Sequence, residues 1–175
     1  MTVKTKRLNI VPVTMEHLLP LHSLLSDREL TRLMVFNPKE DLKETEDLIK
    51  ASAAESQKPN PLFSEFAVLR GDVFVGNLTL YFFRDDPFTA EFAWVISPEH
   101  ARKGYAFEAA TALMDHYNRE KNVTRFIAQC DSENHASIGL IEKLGMKFSG
   151  ASRGRYNRSD PQTERTEYTY ELLIR

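Results

Sequence analysis

An α+β fold with a mixed, largely antiparallel sheet flanked by helices is the architecture this sequence predicts, and three observations carry it. Apolar, β-branched and aromatic residues run from Phe63 to Leu69 and from Val73 to Phe83, separated by Arg70-Gly71-Asp72, a hairpin signal. The strand-like Glu91-Phe-Ala-Trp-Val-Ile96 then gives way through a short loop to a helical stripe and a further apolar strand. Near the C-terminus Tyr168, Tyr170, Leu172 and Ile174 alternate as one more strand. A meander that leads into a strand, helix, strand unit is the α+β order.

Taken in order, Val3, Leu8 and Ile10 alternate with polar residues until Pro12, as an edge or outer strand does. Thr14 caps a helix running to about Leu25, with Leu18, Leu21 and Leu25 at helical spacing and Pro20 confined to the first turns. Asp41 caps a second helix carrying Leu42, Thr45, Leu48 and Ile49, and Thr31 to Pro38 between them is not assigned. Asp85-Asp86-Pro87 marks the turn before the strand Glu91–Ile96, which Ser97-Pro98 stops because proline cannot donate to a ladder. From Gly104 onward Ala106, Ala109, Ala110, Leu113 and Tyr117 fall on one helical stripe. Asn122 separates this helix from the strand Val123–Gln129. Asn134 caps a short helix with the inner stripe Ser137, Leu140, Ile141 and Leu144, ended by Gly145. Met146–Ser149 begins a strand, and Ser152 to Pro161 reads as a polar excursion.

Composition removes several functions. The 23 basic against 25 acidic residues give a net charge of −2, which recommends neither a nucleic acid nor a membrane surface as partner. Arg153, Arg155, Tyr156 and Arg158 form a basic, aromatic-bearing segment, but Asp160, Glu164 and Glu167 dilute its field, so it reads as a solvated loop. With 42% hydrophobic content, the 175 residues suffice for a single domain over 1–175 with a buried core. The N-terminus enters an amphipathic strand instead of an apolar signal core, and no window approaches the roughly 18 apolar residues of a spanning helix, which predicts a cytoplasmic protein. Cys130 is the sole cysteine and reads as a small buried hydrophobe. His17, His22, His100, His116 and His135 show no metal-ligand spacing, and neither a Gly-x-Ser-x-Gly elbow nor a Walker loop occurs, so no metal is expected.

The chemistry gathers at Ala101-Arg102-Lys103-Gly104-Tyr105-Ala106. A helix starting here presents unsatisfied N–H groups and the positive end of its dipole, an anion site. Gly104-x-Ala106-x-x-Ala109 followed by Asp131 is also a degraded dinucleotide fingerprint, but a Rossmann glycine turn follows its strand directly, and here Ser97 to Lys103 intervenes. The spacing Ala101-x-x-Gly104-x-Ala106 resembles motif A of the GCN5-related N-acetyltransferase (GNAT) superfamily, Arg/Gln-x-x-Gly-x-Gly/Ala, which cradles the pyrophosphate of acetyl-coenzyme A. Asn134-x-x-Ser137 followed by Glu142-Lys143-Leu144-Gly145-Met146 resembles motif B of the same superfamily. The run Lys4 to Ile10 is similar to the Thr-x-Arg-Leu-x-Leu opening of its RimJ/RimL-like branch, which acetylates ribosomal-protein N-termini.

This resemblance implies the GNAT acyl-CoA N-acyltransferase fold, with central strands splayed to admit acetyl-coenzyme A (acetyl-CoA) as co-substrate. It also implies direct transfer of the acetyl group to a primary amine, a protein N-terminal α-amine or a small-molecule amine, within a ternary complex. Ala101 departs from the motif and supplies no side-chain donor, and Arg102 stands where many relatives have a second glycine, so the main-chain N–H groups of the loop carry the phosphate contacts. Arg102, Lys103 and Lys143 are candidate phosphate partners, and Asn134 and Ser137 belong to the coenzyme site through motif B. Trp94, Val95 and Ile96 would exchange main-chain hydrogen bonds with the pantetheine arm, with the N–H of Val95 polarising the acetyl carbonyl.

Two residues are expected to be catalytic. Glu91 shares a strand face with Ala93 and Val95, and a carboxylate among apolar neighbours has a raised pKa suited to accepting a proton from an ammonium. It matches the base of the histone-acetylating branch, with Glu65 on the neighbouring strand as the second candidate. By resemblance, Ser137 hydrogen-bonds the coenzyme sulfur and protonates it as it leaves; many relatives use a tyrosine one turn later, where this chain has Ile141. Met34, Phe36 and Asn37 occupy the region that walls the acceptor in the family, though core packing also accounts for them. An alternative reading is a non-catalytic acetyl-CoA-binding sensor or scaffold, which would bind without releasing thiol; another is a regulatory domain preferring NAD or ATP. Neither the acceptor nor the oligomeric state, a homodimer included, is written in these residues.

Overall fold

The computed structural model describes residues 1–157 and 160–174, with the side chains of residues 155–161 outside that description. Eight strands form one mixed sheet in the order β1-β2-β3-β4-β5-β6-β8-β7. They are β1 (Val3–Lys4), β2 (Asn9–Pro12), β3 (Phe63–Arg70), β4 (Val73–Phe83), β5 (Asp86–Ile96), β6 (Arg125–Asp131), β7 (Lys147–Asn157) and β8 (Asp160–Leu173). Among the described residues only β5 and β6 pair in parallel; every other ladder is antiparallel. Four helices join them: α1 (Leu18–Ser26), α2 (Leu42–Glu55), α3 (Tyr105–Lys121) and α4 (His135–Lys143).

Strand alternation divides the core between the two faces. Phe66, Val68, Leu78, Leu80, Phe92 and Phe126 pack with Ala109, Ala110 and Leu113 of α3 and Ile141 of α4. Ala67 and Val95 turn the other way, onto Leu21, Leu24, Leu25 and Ile49 of α1 and α2. The alanines of α3 bring that helix close to the sheet, as the sequence predicts.

Boundaries shift where side chains compete with the ladder. Thr14 starts a 3₁₀ turn, Met15–His17, before α1, and its N–H donates to His17 Nδ1 at 3.0 Å. Asp41 accepts from the Glu44 N–H at 3.0 Å and caps α2, whose inner face is Thr45, Ile49 and Ser52 while Leu42 is exposed. β5 begins at Asp86, five residues before Glu91, because Phe83 and Asp86 close a tight turn. β6 begins at Arg125 because Asn122 ends α3 with φ 55° and Asn118 Nδ2 holds the Val123 carbonyl at 3.0 Å. The polar stretch after Ser152 is drawn into β7 and β8, with Ser152 opposite Glu167 and Arg153 opposite Thr166. Residues 151–153 are all exposed, and a hairpin solvated on both faces carries no apolar alternation to announce it. Arg153 is exposed, and the side chains of Arg155, Tyr156 and Arg158 lie outside the described residues. Among the described residues no helix is long and apolar enough to cross a membrane.

Gly76 faces Ile96 across β4 and β5. A Cβ there would lie 2.6 Å from Ile96 Cδ1 and 2.7 Å from the Val95 carbonyl oxygen. Gly76→Ala is therefore expected to destabilise the protein by about 2 kcal/mol through overpacking, read as a lower denaturant midpoint.

Candidate active site

The parallel ladder is short. β5 and β6 pair from Thr89–Arg125 to Phe92–Ala128 and no further, although β5 runs on to Ile96 and β6 to Asp131. Each strand stays with its outer neighbour, β5 with β4 as far as Gly76–Ile96 and β6 with β8 as far as Asp131–Glu167. The sheet thus parts in its middle, and one side of β5 faces a gap.

Ladder phase decides which main-chain groups enter that gap. The Ser97 N–H donates to the Val75 carbonyl at 3.0 Å, and the Thr124 N–H donates to the Phe88 carbonyl at 2.9 Å. Hydrogen-bonded pairs alternate along an antiparallel ladder, so Val95 exchanges its bonds with Asn77, and the main-chain groups of Trp94 and Ile96 point toward β6. This corrects the expectation for Val95: its N–H is committed to β4, and its buried side chain packs with α1 and α2. Trp94 and Ile96 present the main chain to the gap.

At the head of α3, Pro98–His100 forms a 3₁₀ turn, and Arg102 (φ 58°) and Gly104 (φ 78°) are both left-handed. Such a turn gathers main-chain N–H groups into an anion-binding concavity, and Gly104 adopts it without the cost a Cβ would add. Beside it lies a groove of about 650 Å³ lined by Arg7, Arg102, Lys103, Gly104, Phe107 and Lys143, with Glu108 and Asp115 as the two carboxylates on its wall. Lys143 Nζ sits 4.8 Å above the Phe107 ring, and Lys103 Nζ donates to the Glu99 carbonyl at 2.7 Å. Ala101, Tyr105 and Ala106 do not line the groove. The Tyr105 ring is buried in the core, so only its main chain belongs to the loop surface.

Motif B folds as its spacing predicts. Asn134 Oδ1 accepts from the Ser137 N–H at 3.1 Å and caps α4, placing Ser137 half-buried in the first turn with Ile141 fully buried one turn on. Asn134 and Pro98 line a second cavity, of about 280 Å³, with Asp27, Leu30 and Leu33 from the segment between α1 and α2. Met34 and Phe36 pack against the α1 and α2 core instead, and Asn37 is exposed.

Glu65 and Glu91 share the sheet face that α1 and α2 cover. Glu65 lies opposite Thr79 and Glu91 opposite Tyr81. Glu65 is 5% exposed, and its Oε2 accepts from Asn77 Nδ2 at 2.8 Å and Thr79 Oγ1 at 2.9 Å. Burial pushes its carboxyl above the ordinary range, and those two bonds pull it part of the way back. Glu91 is half-buried, and among the described residues its carboxylate has no hydrogen-bond partner. Burial first, then the Glu167 charge, raises its pKa. Tyr81 stands between the two carboxyls; burial and then the Glu65 and Glu91 charges push its phenol up to about 12, so it stays protonated. Of the two carboxylates, Glu65 is tied to Asn77 and Thr79, and Glu91 accepts no hydrogen bond among the described residues.

Arg7, Phe107 and Tyr81 escaped the residue-by-residue reading. A surface arginine and two aromatics carry no spacing signal, although the Thr-x-Arg-Leu opening does mark Arg7.

Residues 7–147 match the family model described as an acetyltransferase (GNAT) domain. The N-acetyltransferase YnaD of Bacillus subtilis is 37% identical over 79 residues, covering 45% of this chain and 46% of YnaD, about half of that relative's length. Among solved structures, an acetyltransferase from Salmonella typhimurium that modifies the N-terminal serine of a 50S ribosomal subunit protein superposes with a TM-score of 0.87 at 17% identity, covering 100% of both chains. Spermidine N-acetyltransferase from Vibrio cholerae, solved with CoA and spermine, superposes with a TM-score of 0.82 at 19% identity, covering 97% of this chain and 96% of the other. These two likenesses establish the shared fold. With the family model spanning both motifs and the parted sheet between them, the chain belongs to the GNAT family, acetyltransferases that take their acetyl group from acetyl-coenzyme A.

Proposed function

We propose that this chain transfers the acetyl group of acetyl-CoA directly to a primary amine in a ternary complex, with Glu91 as base and Ser137 as acid. The observation that carries the reading is the gap between β5 and β6, which opens beyond Phe92–Ala128, the ladder position next to Glu91. Arg102, Lys103 and Lys143 supply the cations for a pyrophosphate, and the left-handed loop supplies main-chain donors. A pantetheine arm can add to β5 as a short extra strand on the groups of Trp94 and Ile96, which brings the thioester to the apex of the gap. One of those N–H groups then polarises the acetyl carbonyl.

Glu91, directly or through water, takes the proton of the acceptor ammonium; the amine attacks the carbonyl carbon, the C–N bond forms and the C–S bond breaks. The departing thiolate receives a proton from the Ser137 hydroxyl, and the second proton of the amine nitrogen, shed as the amide forms, passes through water to restore that hydroxyl. Holding both reactants together supplies the rate enhancement of proximity without a covalent enzyme intermediate. The fold neighbours that modify an N-terminal serine and spermidine support the same class.

Calorimetric titration with acetyl-CoA, with NAD as the control ligand, tests the pocket. Saturable binding of the first alone is expected, followed by thiol release that depends on added N-terminal peptides or spermidine. Binding with no thiol release across such amines would establish the sensor reading, and no binding would refute the coenzyme site. Ser137→Ala is expected to lower kcat about tenfold or more with little change in KM for acetyl-CoA, as loss of an interaction made mainly in the transition state does.

A further inference from the structure

We propose that Arg7 is a positioning residue that, anchored by Glu108, locks the loop gripping the coenzyme; this rests on the coenzyme groove described above. The turn between β1 and β2 docks on α3 through one carboxylate. Thr5 Oγ1 donates to Glu108 Oε1 at 2.5 Å, the Arg7 N–H donates to the same oxygen at 3.0 Å, and Arg7 Nε donates to Oε2 at 2.6 Å. The other side of the guanidinium reaches the loop, where Nη1 donates to the Lys103 carbonyl at 3.0 Å. Its plane lies over the Tyr105 ring, 4.8 Å from the centroid. A Cβ on Gly104 would sit 3.4 Å from Arg7 Nη2, so the guanidinium packs against the glycine itself.

The consequence follows from peptide geometry. A trans peptide is planar, so holding the Lys103 carbonyl also fixes the direction of the Gly104 N–H, one of the donors of the left-handed turn. The planar fork of arginine suits a residue that must satisfy a carboxylate on one edge and a carbonyl on the other; a lysine can make one of these contacts with its point charge but not both in fixed geometry. The charge of Arg7 is balanced by Glu108. Burial pushes that carboxyl up, yet the hydrogen bonds from Thr5 and Arg7 outweigh it and hold it below the ordinary range, so it remains ionised. With the pair neutral overall, what Arg7 contributes to the groove is geometry more than net charge.

The test compares two probes, coenzyme A and pantetheine, which shares the arm but lacks the pyrophosphate and nucleotide. Calorimetric Kd values and thermal unfolding are measured for the full-length wild type, Arg7→Gln, Arg7→Lys, Glu108→Gln and the double Gln variant. Arg7→Gln is expected to weaken coenzyme A about tenfold, the loss of one well-made charge-assisted contact, and pantetheine less than about twofold. Arg7→Lys should recover thermal stability but not coenzyme affinity. Glu108→Gln should weaken coenzyme A in the same direction, and the double variant should be no worse than Arg7→Gln, because the two residues act as one unit. Tighter coenzyme binding by Glu108→Gln would mean that Arg7 holds phosphate itself, which overturns the proposal. Equal losses for both probes, or a lower unfolding temperature with coenzyme affinity unchanged, overturn it too. A wild type that binds no coenzyme A removes the groove and the proposal together, a failure plainly separate from a variant that behaves like wild type.

Discussion

Glu91→Gln is expected to lower kcat by about 100-fold or more, the scale of a lost general base, while the Kd for acetyl-CoA stays within about twofold. The separation of the two constants follows from the fold. Glu91 lies on the face shared with Tyr81 and Glu65, whereas the groove proposed for the nucleotide is built mainly from the loop before α3, α3 and Lys143 of α4. The pH profile carries the same prediction with its sign. Burial and the Glu167 charge raise the Glu91 pKa above 4.5, and a base works only when deprotonated, so wild-type kcat/KM is lost as pH falls through that raised value. In Glu91→Gln this acid limb should vanish from what activity remains. Stopped assays of thiol release across pH, with the most active amine, provide the check; an unchanged acid limb in the variant would transfer the role of base to another group. Glu65→Gln should retain most of the activity, because that carboxyl is buried and one of its oxygens is already held by Asn77 and Thr79.

Phe126→Ala should cost about 3–5 kcal/mol of stability, the usual range for emptying a buried phenylalanine site. Phe126 is 0% exposed, and its ring centroid is 5.7 Å from that of Phe92. These two rings sit on the parallel β5–β6 ladder, Phe126 opposite Ala90 and Phe92 opposite Ala128, the last pair before the strands part. The expected loss is a large share of the total stability of an ordinary domain, so the variant should unfold at a much lower denaturant concentration. Phe126→Leu, which refills most of the volume, should cost about 1 kcal/mol. Because the pair fixes the apex of the gap, any folded Phe126→Ala protein should also bind acetyl-CoA more weakly than Phe126→Leu. Denaturant titration and calorimetry on both variants check the two parts separately.

Much of this molecule is legible from residue order. The turn at Gly71, the alanine stripe of α3, the Asn134 cap and the alternation through Tyr168 and Tyr170 are local, and each states its element through spacing or capping chemistry. Where spacing was silent, boundaries moved. Val123 looks like strand but is held in the link between α3 and β6 by Asn118, and the exposed residues 151–153 of β7 give no apolar period to read.

By itself, then, the sequence determined the α+β class, the loop at Arg102 to Gly104, and the family to which both motifs point. Tertiary structure decided the rest, because each remaining question turns on groups distant in the chain. The phase of the β4–β5 ladder commits the Val95 N–H to Asn77 and turns Trp94 and Ile96 to the gap. Two carboxylates of similar sequence context become different groups, Glu65 buried and held through Oε2 by Asn77 and Thr79, Glu91 half-buried with no such donors among the described residues. Arg7 meets Lys103 across 96 positions, a contact that no local pattern encodes and that only the docking of the β1–β2 turn against α3 creates.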